Sequence, residues 1–367
     1  MKESHLPQPL PGVARLSPYK QGKSSIEGVS KPLKLSSNES LFGPSPAAVA
    51  AYRDLSDTLH EYPNGAQTEL RDAIAEVHKL DTNRIVCGNG SDELICLLIR
   101  TLAGPGDNIV MSEFSFAMVG LHAGVQGVDV TTVPEPAPSY APDVDALLAA
   151  VNDNTRMLVI ASPNNPMGKY LDRDSLYRLH QGLPAHVVLL IDGAYADYVD
   201  QEDFDDGAGL VENNENVVMT RTFSKLYALA GLRIGWAYLP ERLLDFVQRI
   251  RTPFNANAAA LAAATAAVRD TEHAAYVRKM NNSELQRLGT ALKECGINLI
   301  ESFANSYMMR FPGEKKTAAL ACKALEANGI IPRPVGAGGP DACLRLTVGR
   351  PEDNDAVIAV LKQFMSS

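Results

Sequence analysis

The sequence predicts an α/β protein with a large domain built on a mostly parallel central sheet, plus a smaller α/β domain. Short apolar runs recur between residues 85 and 220, as in strands that are buried on both faces of a parallel sheet. Helical patterns separate several of these runs, as βαβ crossovers require. After residue 278 the pattern changes to a shorter alternation of helices and strands, which indicates the second domain.

The large domain has six predicted strands. A helix over 68–80 carries apolar residues at helical spacing. Ser91 is predicted to cap the next helix, because Asp92 and Glu93 fall in its first turn. The Ala-rich stretch 256–268 predicts a tightly packed helix. The predicted strands are 85–87, 108–111, 128–133, 157–161, 187–191 and 217–220.

Three regions follow from this pattern. Residues 1–46 are rich in Pro, Gly, Ser and Lys, and we expect an N-terminal arm that packs with the small domain. Residues 47–267 form the large domain and 268–367 the small domain. The predicted small-domain elements are a helix at 283–295, strands at 297–299 and 307–310, a helix at 317–329, a strand at 344–348 and a helix at 351–365.

Composition narrows the class of protein. Of 367 residues, 46% are apolar and 21% charged, which excludes a mostly disordered chain, a collagen and a coiled coil. The net charge of −9 and the lack of a basic run argue against a nucleic-acid partner. Five scattered cysteines without CxxC spacing predict neither a disulfide framework nor a zinc site, and favour the cytoplasm. We expect no signal peptide and no membrane span.

Chemistry is expected where the parallel strands end, because ligands bind beyond their carboxyl ends. The first strand is followed by Gly88-Asn-Gly90 and a helix start at Ser91, which could bind a phosphate. An ordinary glycine turn with a serine cap would look the same. A nicotinamide site is disfavoured, because Glu93 stands where the dinucleotide fingerprint has its third glycine.

Three charged residues follow later strands. Asp192 ends an apolar strand and needs a cationic partner, which could be a ring nitrogen or a structural group. Lys225 could condense with a carbonyl, although most lysines are simply solvated. Arg233, between Gly231 and Gly235, could hold a phosphate or form a surface salt bridge.

Three uncharged residues are equally ambiguous when taken alone. Asn165 could donate an amide hydrogen bond or begin a turn. Tyr195 could donate to a phenolate oxygen or belong to the core. Phe114 could stack on an aromatic ring or be an ordinary buried aromatic. Their order on successive strand ends carries more weight than any one of them.

The order of these motifs resembles a known family. Ser224-Lys225 followed by Gly231-Leu-Arg-Ile-Gly, with Asn-Asn-Pro at 164–166 and Asp192-x-Ala-Tyr upstream, resembles the fold-type I pyridoxal-5′-phosphate (PLP) aminotransferases, in the branch that contains histidinol-phosphate aminotransferase. The resemblance implies transamination between histidinol phosphate with 2-oxoglutarate and imidazole-acetol phosphate with glutamate. The alternatives are a broad aromatic amino-acid aminotransferase, a lyase resembling threonine-phosphate decarboxylase, and a binding chain, which would not need Lys225.

The resemblance also implies the roles of the cofactor residues. Lys225 would carry PLP through its amine and later move protons as the base. Asp192 would pair with the pyridinium nitrogen. The other implied contacts are Asn165 and Tyr195 to the phenolic oxygen, Phe114 stacked on the ring, and Ser91, Asp92, Thr222, Ser224 and Arg233 at the phosphate.

Substrate and subunit contacts are implied in the same way. Tyr62 matches a tyrosine that reaches the phosphate of the neighbouring subunit, so a homodimer with a composite site is expected. Arg345 would bind the substrate carboxylate, with Arg333 as a second cation. Tyr19 and Asn38 lie in the arm that would close over the substrate.

Three positions depart from the family pattern. Gly193 stands where relatives often have Glu, Met167 where Thr is usual, and Ser112-Glu-Phe-Ser where Pro-Thr-Tyr is usual. The last two are expected to border the ring and to shift substrate preference.

Overall fold

This computed structural model describes residues 7–19, 21–311, 313–335 and 343–367. The helices are α1 Pro11–Ala14, α2 Pro46–Arg53, α3 Thr68–His78, α4 Gly90–Leu102, α5 Met118–Gln126, α6 Val144–Ala149, α7 Arg173–Gln181, α8 Ala208–Asn213, α9 Glu241–Ile250, α10 Ala258–Arg269, α11 Thr271–Glu294, α12 Ala318–Ala327 and α13 Pro351–Ser366. The strands are β1 Leu33–Lys34, β2 Ile85–Gly88, β3 Asn108–Ser112, β4 Asp129–Val133, β5 Thr155–Ala161, β6 Val188–Asp192, β7 Val217–Thr222, β8 Gly235–Tyr238, β9 Asn298–Ile300, β10 Ser306–Arg310, β11 Ile330–Ile331, β12 Arg333–Pro334 and β13 Cys343–Thr347.

A seven-stranded sheet in the order β2-β8-β7-β6-β5-β3-β4 forms the centre of the large region. Neighbouring strands from β7 to β4 run parallel, and β8 runs antiparallel to both β2 and β7. This topology confirms the predicted fold class. It also places the carboxyl ends of β2, β7, β6, β5 and β3 along one edge of the sheet.

Apolar side chains cover both faces of this sheet, which explains the unbroken apolar runs in the sequence. Val217 and Met219 of β7 pack on one face with α3, α7 and α10, and Val218 packs on the other with α4, α5 and α9. Each such side chain is fully buried and stabilises the fold by about 1.5–3 kcal/mol.

The second region is built on smaller sheets. The strands β12-β13-β10-β9 form an antiparallel sheet, and β1 of the N-terminal segment pairs in parallel with β11. Apolar residues of α11, α12 and α13 pack with this sheet in a core that also includes Leu35. The pairing of β1 with β11 agrees with an arm that packs on the small domain, and the three-part division remains a prediction.

The structure changes four details of the predicted elements. β8 was not predicted, and α11 begins at Thr271 rather than at residue 283. Asn89, rather than Ser91, is the N-cap residue of α4, so Ser91 lies inside the first turn. The short strands β1, β11 and β12 also escaped prediction. Within the described residues, no helix combines the length and apolar character needed to cross a bilayer.

Candidate active site

A cavity of about 270 Å³ opens at the carboxyl edge of the large sheet. It lies there because β5, β6 and β7 are parallel and end side by side, at Ala161, Asp192 and Thr222. Nine of the predicted site residues line it: Ser91, Asp92, Asn165, Asp192, Tyr195, Thr222, Ser224, Lys225 and Arg233.

The first turn of α4 forms one end of the cavity. A helix N-terminus presents free N–H groups and a partial positive charge, which together favour an anion. Two glycines allow other groups to approach this turn closely. A Cβ on Gly235 would lie 2.4 Å from the Ser91 nitrogen, and a Cβ on Gly90, whose φ is +79°, would lie 2.7 Å from Arg233 Nη2.

Arg233 brings a positive charge to the same end of the cavity. Its Nη1 donates to Ser224 Oγ and to the Ala230 carbonyl, both at 3.3 Å. The Ser224 N–H in turn donates to Thr222 Oγ1 at 3.1 Å. A guanidinium, two hydroxyls and a helix N-terminus therefore converge, and this donor set suits a phosphate.

Asp192 lines the cavity at the end of β6 and is 5% exposed. Burial raises the pKa of its carboxyl to about 6, although hydrogen bonds from the Thr220 hydroxyl, at 3.1 Å, and from the Ala194 backbone oppose the rise. A cation placed against this carboxylate would favour its ionised form. A protonated ring nitrogen is such a cation.

Lys225 and Tyr195 face each other across the cavity. Lys225 Nζ donates to the Ser37 carbonyl at 3.3 Å and lies 5.6 Å from the centre of the Tyr195 ring. The Tyr195 hydroxyl accepts a hydrogen bond from Asn38 Nδ2 at 2.8 Å. Because the oxygen accepts from Asn38, the hydroxyl proton can be donated into the cavity.

Arg345 connects the small sheet to the cavity. Its Nη1 donates to Asn165 Oδ1 at 2.6 Å, and its Nη2 donates to the Ser36 carbonyl at 2.9 Å. Arg333 is its cross-strand neighbour in the register of β12 and β13. Burial lowers the pKa of Arg345, and the charge of Arg333 lowers it further. Two adjacent cations of this kind suit an anionic substrate.

The remaining predicted residues lie outside the cavity lining. Asn38 is buried and reaches the cavity only through Tyr195. Tyr19 is 56% exposed and does not line the cavity. Tyr62 is 83% exposed and stacks on Phe254, with 4.6 Å between the ring centres.

The structure corrects the position proposed for the stacking ring. Phe116 lines the cavity, whereas Phe114 packs edge-on against Tyr140 at 5.9 Å between ring centres. Met167 is fully buried in that same apolar cluster with Met308 of the small sheet, so it does not border the cavity. The chain passes through a turn after β3, and this turn brings the second phenylalanine, rather than the first, to the cavity.

Two residues of the site were not found from the sequence. The Ser37 carbonyl accepts a hydrogen bond from Lys225 Nζ, and the Thr220 hydroxyl donates one to Asp192. Thr220 lies two residues before Thr222 on β7 and directly beside Asp192 in the sheet. The alternation of side chains along a strand was the signal that could have found it. Nothing local marks Ser37, because its contact joins residues 188 positions apart.

The fold and this site define an aminotransferase-type enzyme. The model of the family described as aminotransferase class I and II matches residues 30–361, and the chain belongs to that family. It is 45% identical, over 98% of its length and 99% of the relative, to the histidinol-phosphate aminotransferase of Paramagnetospirillum magneticum. It is 42% identical to the enzyme of the same name from Rhodospirillum centenum, with 98% and 99% covered.

Solved structures agree with this family. The chain is similar to the histidinol-phosphate aminotransferase of Sinorhizobium meliloti in complex with pyridoxal-5′-phosphate, with a TM-score of 0.89 and 25% identity, covering 99% of each chain. The L-threonine-O-3-phosphate decarboxylase of Porphyromonas gingivalis shares the fold, with a TM-score of 0.77 and 21% identity, covering 91% of this chain and 100% of that chain.

Proposed function

We propose that this chain is a PLP-dependent aminotransferase that interconverts histidinol phosphate and 2-oxoglutarate with imidazole-acetol phosphate and glutamate. The proposal rests on one observation: Lys225, Asp192 and Arg233 line the same cavity. Arg345 is hydrogen-bonded to Asn165 of the cavity lining. The identity of 45% to an enzyme of that name supports the choice of substrate.

The residues of the cavity fit PLP. The cradle that Gly90 and Gly235 leave open beside Arg233 fits the phosphate, and the buried carboxylate of Asp192 fits the ring nitrogen. When bound, PLP supplies an aldehyde that condenses with amines and a ring that delocalises electrons from the substrate α-carbon. We assign Phe116, which lines the cavity, to stack on the face of the cofactor ring.

The protein groups then have distinct tasks. Lys225 would hold the cofactor through Nζ and, once released, would act as the base that moves the proton of the substrate Cα. Asp192 stays ionised against the ring nitrogen and so keeps that nitrogen protonated. Tyr195 donates its hydroxyl proton to the phenolic oxygen, and Asn165 donates from Nδ2, because its Oδ1 is already bonded to Arg345.

Substrate recognition is assigned to the cations of the small sheet. Arg345 binds the carboxylate of glutamate and 2-oxoglutarate, and Arg333 adds charge for the phosphate of the second substrate. Tyr19 and Asn38 are assigned to the arm that would close over the substrate. Tyr19 is 56% exposed, and Asn38 donates to Tyr195 of the cavity lining.

A homodimer is part of the proposal. Tyr62 lies outside the cavity of its own chain and exposes 83% of its surface, which suits a hydroxyl that reaches the phosphate of a second copy. We also propose a cytoplasmic location, because the cysteines are scattered along the sequence without CxxC spacing.

One spectroscopic experiment tests the substrate. PLP-loaded protein, without an oxo acid, is mixed separately with histidinol phosphate, phenylalanine and threonine phosphate, and the absorbance of the lysine-bound cofactor is followed. Loss of the band only with histidinol phosphate supports the proposal. Comparable loss with phenylalanine would indicate a broad aromatic enzyme, and CO2 release from threonine phosphate would indicate a decarboxylase. A protein that shows no such band would overturn the whole assignment.

A further inference from the structure

A partly buried pair of a histidine and an aspartate lies behind the phosphate end of the cavity. His122 of α5 places Nε2 3.0 Å from Asp92 Oδ1, with 14% and 34% of the two side chains exposed. Asp92 lines the cavity, whereas His122 does not. The pair with Asp92 therefore links His122 to the cavity lining.

Asp92 presents an electrostatic problem at this position. Its carboxylate sits in the turn of α4 that would receive a phosphate dianion, and like charges repel strongly where water is scarce. Burial is the main cause of the raised pKa of Asp192, and the charge of Asp92 adds to it, whereas the ring nitrogen requires Asp192 in its ionised form. Glu93, the other acidic residue of the turn, does not line the cavity. Its carboxylate accepts hydrogen bonds from Asn255 Nδ2, at 2.8 Å, and from the Asn89 N–H.

We propose that His122 is a positioning residue of the cofactor pocket, whose imidazolium holds and neutralises the Asp92 carboxylate. The α4 N-terminus can then receive a dianion, and Asp192 stays ionised. This inference rests on the proposed function, because it assigns the anion to the phosphate of PLP.

The protonation of His122 is consistent with this role. Burial alone would lower its pKa, but the hydrogen bond and charge of Asp92, with Cys96 nearby, raise the pKa of His122 to about 9. Cys96 lies one helical turn beyond Asp92 on α4. The imidazole is therefore enclosed on the α4 side by groups that favour its charged form.

The test is an equilibrium titration with PLP of protein from which the cofactor has been removed, followed by fluorescence. The proteins compared are wild type, His122→Gln, Asp92→Asn and the double variant. We expect His122→Gln to raise the Kd for PLP about tenfold, a change of about 1.4 kcal/mol. The double variant should return to within about threefold of wild type, because the uncompensated charge has been removed. His122→Gln should raise the Kd for pyridoxal, which lacks the phosphate, by a smaller factor than it raises the Kd for PLP.

The matched control is His180→Gln. His180 is another partly buried histidine, and its Nε2 lies 3.0 Å from the uncharged Asn216 Oδ1. Its replacement should leave the Kd unchanged. An unchanged Kd for PLP in His122→Gln overturns the inference. A loss of PLP affinity in His122→Gln that persists in the double variant also overturns it, because that result would indicate a purely structural role for His122.

Two further outcomes are decisive. If His122→Gln does not fold, Asp92→Asn alone provides the test, and weaker PLP binding than wild type overturns the inference. If wild-type protein itself does not bind PLP, the proposed function fails, and that result is distinct from a failure of the His122 assignment.

Discussion

Arg345 Nη1 donates a hydrogen bond to Asn165 Oδ1 over 2.6 Å and so joins the two sheets of the protein. Arg345 belongs to β13 of the small sheet, and Asn165 follows β5 of the large sheet. The residue assigned to the substrate carboxylate therefore contacts a residue assigned to the cofactor. Arg345 Nε is buried and has no hydrogen-bond partner among the described residues. The guanidinium therefore keeps one N–H group that can donate to a ligand.

We expect Arg345→Lys to raise the KM for glutamate and 2-oxoglutarate about 10- to 100-fold, with a smaller effect on kcat. An ammonium cannot reproduce the fork that binds Asn165 and Ser36 with two nitrogens. Steady-state kinetics with each substrate checks this. The control is Arg310→Lys on β10, an exposed arginine of the same sheet. A KM that stays at the wild-type value would remove Arg345 from substrate binding.

We expect Lys225→Ala to abolish turnover and the absorbance band of the lysine-bound cofactor, because no other lysine lines the cavity within the described chain. Circular dichroism should show an intact fold. The control is Lys169→Ala, which removes a lysine paired with Glu301 at 2.7 Å and leaves the cavity lining unchanged. Turnover close to wild type in Lys225→Ala would exclude the proposed mechanism.

The sequence predicted the central strands well because each is buried on both faces and reads as an apolar run. β8 escaped because Gly235-Trp-Ala-Tyr238 is short, begins with glycine and pairs in the antiparallel direction. That pairing depends in part on β2, which lies far away along the chain. A local pattern does not contain this information.

The candidate site could be predicted where residues end strands, as Asp192 of β6 and Thr222 of β7 do. The choice between Phe114 and Phe116 was not, because it depends on the path of the turn between β3 and α5. The position of Met167 depends on packing between the two regions, since its neighbours Ile300 and Met308 belong to the small sheet. Long-range packing of this kind leaves no periodic signal in the sequence.

We expect Tyr62→Phe to weaken PLP binding about tenfold, the cost of losing one hydrogen bond to a charged group. Ring stacking on Phe254 would survive, because only the hydroxyl is removed. The Kd for PLP should be measured at protein concentrations above and below the dimer dissociation constant. Tyr276→Phe, at a tyrosine that is 51% exposed on α11, is the control. Equal affinity of Tyr62→Phe and wild type at all concentrations would argue against a composite site.

Glu135 is a buried carboxyl that the proposed mechanism does not use. It is 3% exposed, and neither of its oxygens has a well-formed hydrogen bond among the described residues. Burial raises its pKa to about 8, and the nearby Ser112 hydroxyl and Phe114 backbone oppose the rise only in part. The neutral acid is therefore the form that the fold prefers.

This preference sets the direction of a pH effect. Because the pKa is higher in the folded state, the stability that Glu135 contributes is complete below the unfolded value near 4.5 and is lost as the pH rises through about 8. Glu135→Gln stays neutral throughout. We expect the variant to be more stable than wild type by about 1–3 kcal/mol at pH 9, and within about 1 kcal/mol of it at pH 5. Urea unfolding of the apoprotein at both pH values measures the difference. A difference that is the same at pH 5 and pH 9 would show that Glu135 does not titrate in this range.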